Sequence, residues 1–373
     1  MNAALAASAL LALALWAFTR FALRGENLSR YDAPGHAAHA GPSDPGAGHY
    51  EVLELLREFQ AAPQGRVSAR HRLRLMRERL DGLGDRADLG GVDIRPAEAD
   101  GVPGEWVLAA GADPDRRLLY LHGGAFTMGS PRSHRGITST LSRLAGAAVL
   151  AIDYRLMPEH RRLECLVDCQ RAYRWILGNG PRGPAPVDAL FVAGDSAGGN
   201  LCLALVAWAR DAGLRGADAA VALSPVTDGT LSSPSLIANL RSDHMLGPVF
   251  GRLARLPRGL LLWLAWLAAR VRPCDPRVSP AHGELHGLPP TLIQASEAEM
   301  LLDDARRYVN KARAAGSDAR LQTWHHMVHV WHAFGATLPE ATEAFGRIAE
   351  FLESVKPRAK AVIPVVEQPQ APT

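Results

Sequence analysis

Residues 191–201 read FVAGDSAGGNL: an apolar run, then a serine boxed by glycines in Gly194-Asp195-Ser196-Ala197-Gly198, then a helical pattern from Leu201 to Arg210. The small residues have a steric cause. Where a strand turns this sharply into a helix, Gly194 and Gly198 must let neighbouring backbone pass, and Ser196 is held in a strained conformation with its hydroxyl exposed. A bare GxSxG is a weak signal that also describes an inert Gly-rich turn. Here it stands between a strand and a helix and continues as Gly199-Asn200, which makes Ser196 a candidate nucleophile.

On both sides of this turn, strand and helix patterns alternate. Short apolar runs at Leu118–Leu121, Ala147–Ile152, Ala189–Ala193, Ala219–Leu223 and Thr291–Gln294 each end in turn residues, and helical patterns such as Cys165–Leu177 lie between them. Continuous apolar strands separated by helices predict a mostly parallel, twisted sheet buried on both faces. In such a sheet the ligand site lies at the carboxyl ends of the strands.

The run Leu118–Leu121 leads into His122-Gly123-Gly124-Ala125-Phe126, seventy-four residues before Ser196. Attack on a carbonyl builds negative charge on oxygen, which backbone N–H groups aimed at that point stabilise. Gly123 and Gly124 permit close backbone approach, and the N–H of Ala197 should complete such an oxyanion hole.

Four ordered motifs now stand together: the HGGA turn, Asp153-Tyr154-Arg155-Leu156-Met157-Pro158-Glu159-His160, GDSAGGN, and Asp275-Pro276-Arg277-Val278-Ser279-Pro280. Over roughly residues 90–355 the chain resembles the hormone-sensitive-lipase family of α/β-hydrolases, which includes arylacetamide-deacetylase-like carboxylesterases. The resemblance implies an α/β-hydrolase fold with a helical cap, hydrolysis of small-molecule esters through an acyl-enzyme, and no metal or organic cofactor. The family's third glycine is Ala125 here.

The resemblance also puts the general base in a His-x-aromatic turn late in the chain. Within Trp324–Phe334, which holds four histidines, both His329-Val330-Trp331 and His332-Ala333-Phe334 fit. His329 is favoured by its spacing from the acid, His332 is the alternative, and His325 and His326 read as ordinary surface or strand residues. The family's D-x-L-x-D-D pattern overlays Glu299 on the catalytic acid, thirty residues before His329. Glu in place of Asp is an accepted triad variant, and Asp303 is the alternative.

Composition bounds the rest. The chain has 373 residues, 47% hydrophobic and 21% charged, with net charge +3, as expected of a globular protein with a sizeable core. Basic and acidic residues are mixed along the chain, so no nucleic-acid stripe is implied. The basic run Arg66–Arg79 reads as a solvated helix face. The cysteines at 165, 169, 202 and 274 have neither zinc nor disulfide-framework spacing and read as reduced thiols.

Residues 1–23 hold an uncharged Ala/Leu-rich stretch, Ala3–Phe18, which reads as a membrane anchor, with a cleaved signal peptide as the rival. Arg20, Arg24 and Arg30 all follow it, which places the body of the protein in the cytoplasm for an anchor, or outside it after cleavage. Residues 24–49 read as a linker, 50–90 as a helical contribution to the cap, 91–357 as the hydrolase domain with a cap insertion near 230–272, and 358–373 as a loose tail. The insertion contains MLGPVFGRLARLPRGLLLWLAWLAARVR at 245–272, which reads as a buried cap helix or as a lid touching lipid. Amide deacetylation or lactone opening could use the same site, and a ligand-binding receptor on a disabled hydrolase scaffold is the non-enzyme reading. Oligomeric state is not legible in the sequence.

Overall fold

The computed structural model describes residues 2–33, 37–41, 44–61, 68–335 and 337–358. Parts of the expected linker (34–36, 42–43) and most of the expected tail (359–373) lie outside the described residues. The strands are β1 (Ala37–Ala40), β2 (Val92–Ala99), β3 (Val102–Ala109), β4 (Asp113–Leu121), β5 (Ala147–Ile152), β6 (Ala189–Asp195), β7 (Ala219–Leu223), β8 (Thr291–Ser296) and β9 (Ala319–Trp324). They form one sheet in the order β1-β9-β8-β7-β6-β4-β5-β3-β2. From β1 to β5 every pairing is parallel, and β3 and β2 close the far edge antiparallel.

Helices cover both faces. On one side α4 (Arg135–Ala145) and α11 (Pro339–Ser354) bury Ile137, Leu141, Phe345, Ile348 and Leu352 against the sheet. On the other, α5 (Arg162–Ile176), α6 (Ala197–Asp211) and α10 (Leu302–Ala314) bury Cys165, Cys169, Leu201, Leu205 and Tyr308. Strands β5, β6, β7 and β8 are buried along their whole length. That is why β5, β7 and β6 up to Gly194 carry apolar runs instead of alternation, while β8 buries the polar Gln294 against partners within the fold.

The N-terminal segment is α1 (Asn2–Phe18), extended by a wider turn over Thr19–Leu23. Within the segment that reads as a linker, β1 pairs in parallel with β9, and Asp32 forms an ion pair with Arg307 at 2.5 Å. Gly/Pro/Ala-rich composition carries no trace of these partners, because both lie almost three hundred residues away. Helices α2 (Ala47–Gln60) and α3 (Ala69–Gly84) and the inserted α7 (Ser235–Ala238), α8 (Leu246–Ala254) and α9 (Arg258–Ala269) complete the chain. All five supply walls of the cavity described below, α9 through its first turn at Arg258 and Leu261.

The sheet and α6 meet through glycine. A Cβ on Gly198 would stand 1.9 Å from the Leu121 carbonyl oxygen and 2.5 Å from that of His122, whereas one on Gly346, within α11, meets nothing within 4 Å. Gly198→Ala is therefore expected to cost at least about 2 kcal/mol through backbone overlap. Gly346→Ala should gain roughly 0.5–1 kcal/mol from helix propensity. Denaturant unfolding of the two variants beside the native chain checks both signs.

Candidate active site

Five strands deliver their next residues to one edge. His122 follows β4, Ser196 follows β6, Ser224 follows β7, Glu297 to Glu299 follow β8, and His325 to His329 follow β9. Ser196 has φ 52° and ψ −113°, a conformation costly for any residue with a Cβ. It is fixed by its N–H, which donates to the Leu223 carbonyl at 2.7 Å, and by the first turn of α6, where the Asn200 N–H donates to the Ser196 carbonyl.

The Ser196 Oγ lies 2.9 Å from His329 Nε2, and His329 Nδ1 lies 2.7 Å from Glu299 Oε2. With the Nδ1 proton directed at the carboxylate, Nε2 offers its lone pair to the serine hydroxyl. Glu299 is fully buried, and its other oxygen accepts the Ser296 N–H at 2.9 Å. The longer glutamate side chain thus folds back on its own turn. Ser296 Oγ in turn donates to the Met327 carbonyl at 2.6 Å, tying the acid's loop to the histidine's. Burial pushes the His329 pKa down, but the hydrogen bond and charge of Glu299 outweigh it, leaving the imidazole above its ordinary value.

The alternatives go elsewhere. His332 Nε2 meets Gln294 Oε1 at 2.8 Å, and burial drives its pKa to about 3, so it is a neutral core side chain. Asp303 accepts the Ser235 N–H and pairs with Arg306, and both of its carboxylate oxygens are thereby engaged with partners other than His329. Its neighbour Asp304 accepts the N–H groups of Thr227 and Asp228 and holds the loop after β7. His325 shares the Glu297 carboxylate with His39, each at 2.7 Å. These three are the group among the described residues with metal-ligand spacing, and they lie outside the cavity's lining.

One expected oxyanion donor needs correction. The Gly123 N–H is already engaged by the buried Asp195 carboxylate at 2.9 Å. His134 Nε2 also lies near it at 3.2 Å, but that nitrogen is 3.4 Å from Asp195 Oδ2 and reads as a donor, so Asp195 is the acceptor. Burial alone would raise the Asp195 pKa; His134 and the Tyr120 hydroxyl, 2.6 Å away, outweigh it and hold it low. The opposite holds for His134, where Asp195 overcomes burial and raises the pKa. Gly123 therefore anchors the turn. Among the described residues, the N–H groups of Gly124, Ala125 and Ala197 enter no hydrogen bond, and all three residues line the cavity at Ser196.

Sequence reasoning missed Asp195, His134 and Tyr120 as a network. The available signal was a carboxylate, Asp195, at the end of an otherwise apolar strand, since buried charge needs a partner. Asp243 was missed too: it caps α8 through the N–H groups of Met245 and Leu246 and accepts the Met300 N–H, joining cap to acid loop. Asn200, at the tail of the turn, accepts from Arg162 of α5 at 2.6 Å and donates to the Val226 and Val278 carbonyls, so it ties α5 to two loops.

Above Ser196 is a cavity of about 1800 Å³. Its walls include Leu55 and Phe59 of α2, Leu80 of α3, Phe250 of α8 and Leu261 of α9. Ser196 and His329 belong to the same lining, and charged side chains such as Glu58, Arg79, Arg143 and Arg255 join it elsewhere.

Residues 118–333 match a family model described as alpha/beta hydrolase fold. The chain is 40% identical over 250 residues to an acetyl-hydrolase of Streptomyces hygroscopicus, covering 67% of this chain and 79% of that protein. A crystal structure of an esterase from the bacterial hormone-sensitive lipase family superposes with TM-score 0.71 at 35% identity, covering 83% of this chain and 98% of that one. A crystal of EstE5 soaked with p-nitrophenyl butyrate gives TM-score 0.70 at 35% identity over the same shares.

If the Glu299 charge is what raises the His329 pKa, Glu299→Gln should move the imidazole titration to lower pH. NMR of the His329 ring checks this; an unmoved titration would assign the shift to another group.

Proposed function

The chain belongs to the α/β-hydrolase family, in its bacterial hormone-sensitive-lipase branch, and from that premise we propose that it is a serine carboxylester hydrolase with Ser196 as nucleophile. The observation that carries the reading is the unbroken hydrogen-bond chain from Ser196 through His329 to Glu299, at 2.9 and 2.7 Å, at the floor of an apolar cavity. His329 takes the Ser196 proton as Oγ attacks the ester carbonyl, and Glu299 stabilises the imidazolium that results. The N–H groups of Gly124, Ala125 and Ala197 hold the oxyanion, each worth roughly a hundredfold to a thousandfold in rate. Collapse expels the alcohol, which takes the proton from His329. Water, deprotonated by the same base, then hydrolyses the acyl-enzyme.

The apolar walls favour esters with short- to medium-chain apolar groups, whose binding grows with the area removed from water. In the same reading α1 anchors the protein in a membrane, and Arg20, Arg24 and Arg30 keep the catalytic body in the cytoplasm. Carbonate-resistant membrane retention with an intact N-terminus is the expected result; release of a shortened chain would indicate a cleaved signal instead.

A fluorophosphonate probe should label the native protein and not Ser196→Ala, and p-nitrophenyl esters of rising acyl length should be turned over. Glu299→Gln should lower kcat on the order of a thousandfold to ten-thousandfold, while Asp303→Asn stays within a few-fold. An unlabelled native protein, or undiminished labelling of Ser196→Ala, overturns the reading in favour of a binding module.

A further inference from the structure

The end of α1 is docked on the cap. The Phe18 ring lies 5.4 Å from that of Trp263 and 5.3 Å from that of Trp266, and Trp263 Nε1 donates to Thr19 Oγ1 at 2.9 Å. Leu23 is fully buried, and the Cys274 thiol donates to the Ala22 carbonyl, so the apolar helix leaves the body from a fixed point beside α9. The span from residue 6 onward is only 6% buried over its most apolar window. The helical stretch Asn2–Leu23, at 1.5 Å per residue, reaches about 33 Å, enough to cross the roughly 30 Å hydrocarbon core of a bilayer.

Helix α9 has two apolar faces with different surroundings. Leu261 and Leu262 are buried, and Leu261 lines the cavity over Ser196. Leu260, Leu264 and Leu267, at the i, i+4, i+7 spacing of one helix stripe, are 47, 41 and 51% exposed. Val249, Phe250 and Leu253 of α8 are exposed as well, and they line the cavity, so both cap helices present apolar side chains outward and α8 carries them to the cavity's lining.

Charge says what covers this surface. Residues 245–272 contain five arginines and no acidic residue, and residues 2–25 add Arg20 and Arg24, again with no acid. Arg20, Arg24, Arg252, Arg255, Arg270 and Arg272 are all exposed. Two copies of the chain meeting on this face would bring like charges together, whereas anionic headgroups would neutralise them. Trp263 and Trp266 lie where the anchor meets the cap, and the exposed Trp16 stands two residues before Phe18 on α1; tryptophan is the residue type favoured at the membrane–water boundary.

We propose that α8 and α9 lie in the headgroup layer of an anionic phospholipid bilayer beside α1, so that the cavity over Ser196 opens toward the membrane and takes its ester from it. This rests on the ester-hydrolase reading of the site, and it names the source of the substrate: a membrane-partitioned ester instead of one dissolved in water. A helix with an apolar outer stripe and basic flanks binds such an interface in this manner.

The test uses the full chain reconstituted in phosphatidylcholine vesicles with and without phosphatidylglycerol. A nitrobenzoxadiazole label is placed through Leu264→Cys in a Cys274→Ser background, the other three cysteines being buried. Nitroxide-bearing lipid should quench this label at least twofold, more strongly with phosphatidylglycerol present. A label at the exposed Leu144, at the opposite end of the sheet, should stay unquenched. Changing Leu260, Leu264 and Leu267 together to Asp should slow hydrolysis of a long-chain ester embedded in vesicles at least tenfold and leave p-nitrophenyl acetate hydrolysis within twofold. Absence of lipid quenching overturns the proposal, and self-quenching between labelled copies without lipid quenching assigns the face to a second copy instead. Failure of the native protein to hydrolyse p-nitrophenyl acetate, with lipid quenching intact, would sink the hydrolase reading and leave the bilayer contact standing.

Discussion

The structure is organised around a backbone that must turn from β6 into α6 in a single residue. Ser196 occupies a positive-φ conformation that it would not adopt alone. What holds it there is register: its N–H is tied to β7 through Leu223, and Gly198 sits against the carbonyl of Leu121 at the end of β4. Three adjacent parallel strands therefore fix one hydroxyl. Because the strain is offset by hydrogen bonds and core packing in the sheet, the hydroxyl is delivered to the carboxyl edge without depending on a mobile loop.

The same edge explains why a buried carboxylate sits directly before the serine. Asp195 gathers Tyr120, His134 and the Gly123 N–H around itself. It fastens the glycine turn of β4 to the end of β6 and so holds Gly124 and Ala125 beside Ser196. The first glycine of the turn is used for anchoring, and the free N–H groups begin one residue later. The family's usual third glycine being Ala125 does not remove a donor, since a backbone N–H is common to both; Ala125 accepts the positive φ of 53° at some cost.

The cap belongs to the same arrangement. Asp243 and Asn239 bind the α7–α8 connection to the loop that carries Glu299, so the cap and the carboxylate beside His329 share a support. Helix α9 then has one side turned to the cavity and the other outward beside α1. A single twelve-residue helix thereby links the apolar chamber over the serine with the apolar N-terminal segment.

Legibility followed the range of the interaction involved. The parallel sheet, the serine turn and the glycine turn after β4 could be read from residues because each is a local pattern: an apolar run, a tight bend, a missing side chain. Choosing His329 over His332 and Glu299 over Asp303 was only favoured by spacing, and the two rejected groups were separated by partners, Gln294 and Ser235, that no spacing reveals. The strand Ala37–Ala40 was hidden because its four residues become a strand only when β9 offers an edge. Gly123 was assigned to the oxyanion hole because the turn permits it; Asp195, seventy-two residues away, had claimed its N–H. The sequence by itself determined which elements form and which residue types could do the chemistry, since helix and strand periods and backbone sterics act over a few residues. Which imidazole, which carboxylate and which amides face the serine was decided by tertiary structure alone, because those choices rest on hydrogen bonds between segments that only the folded sheet brings together.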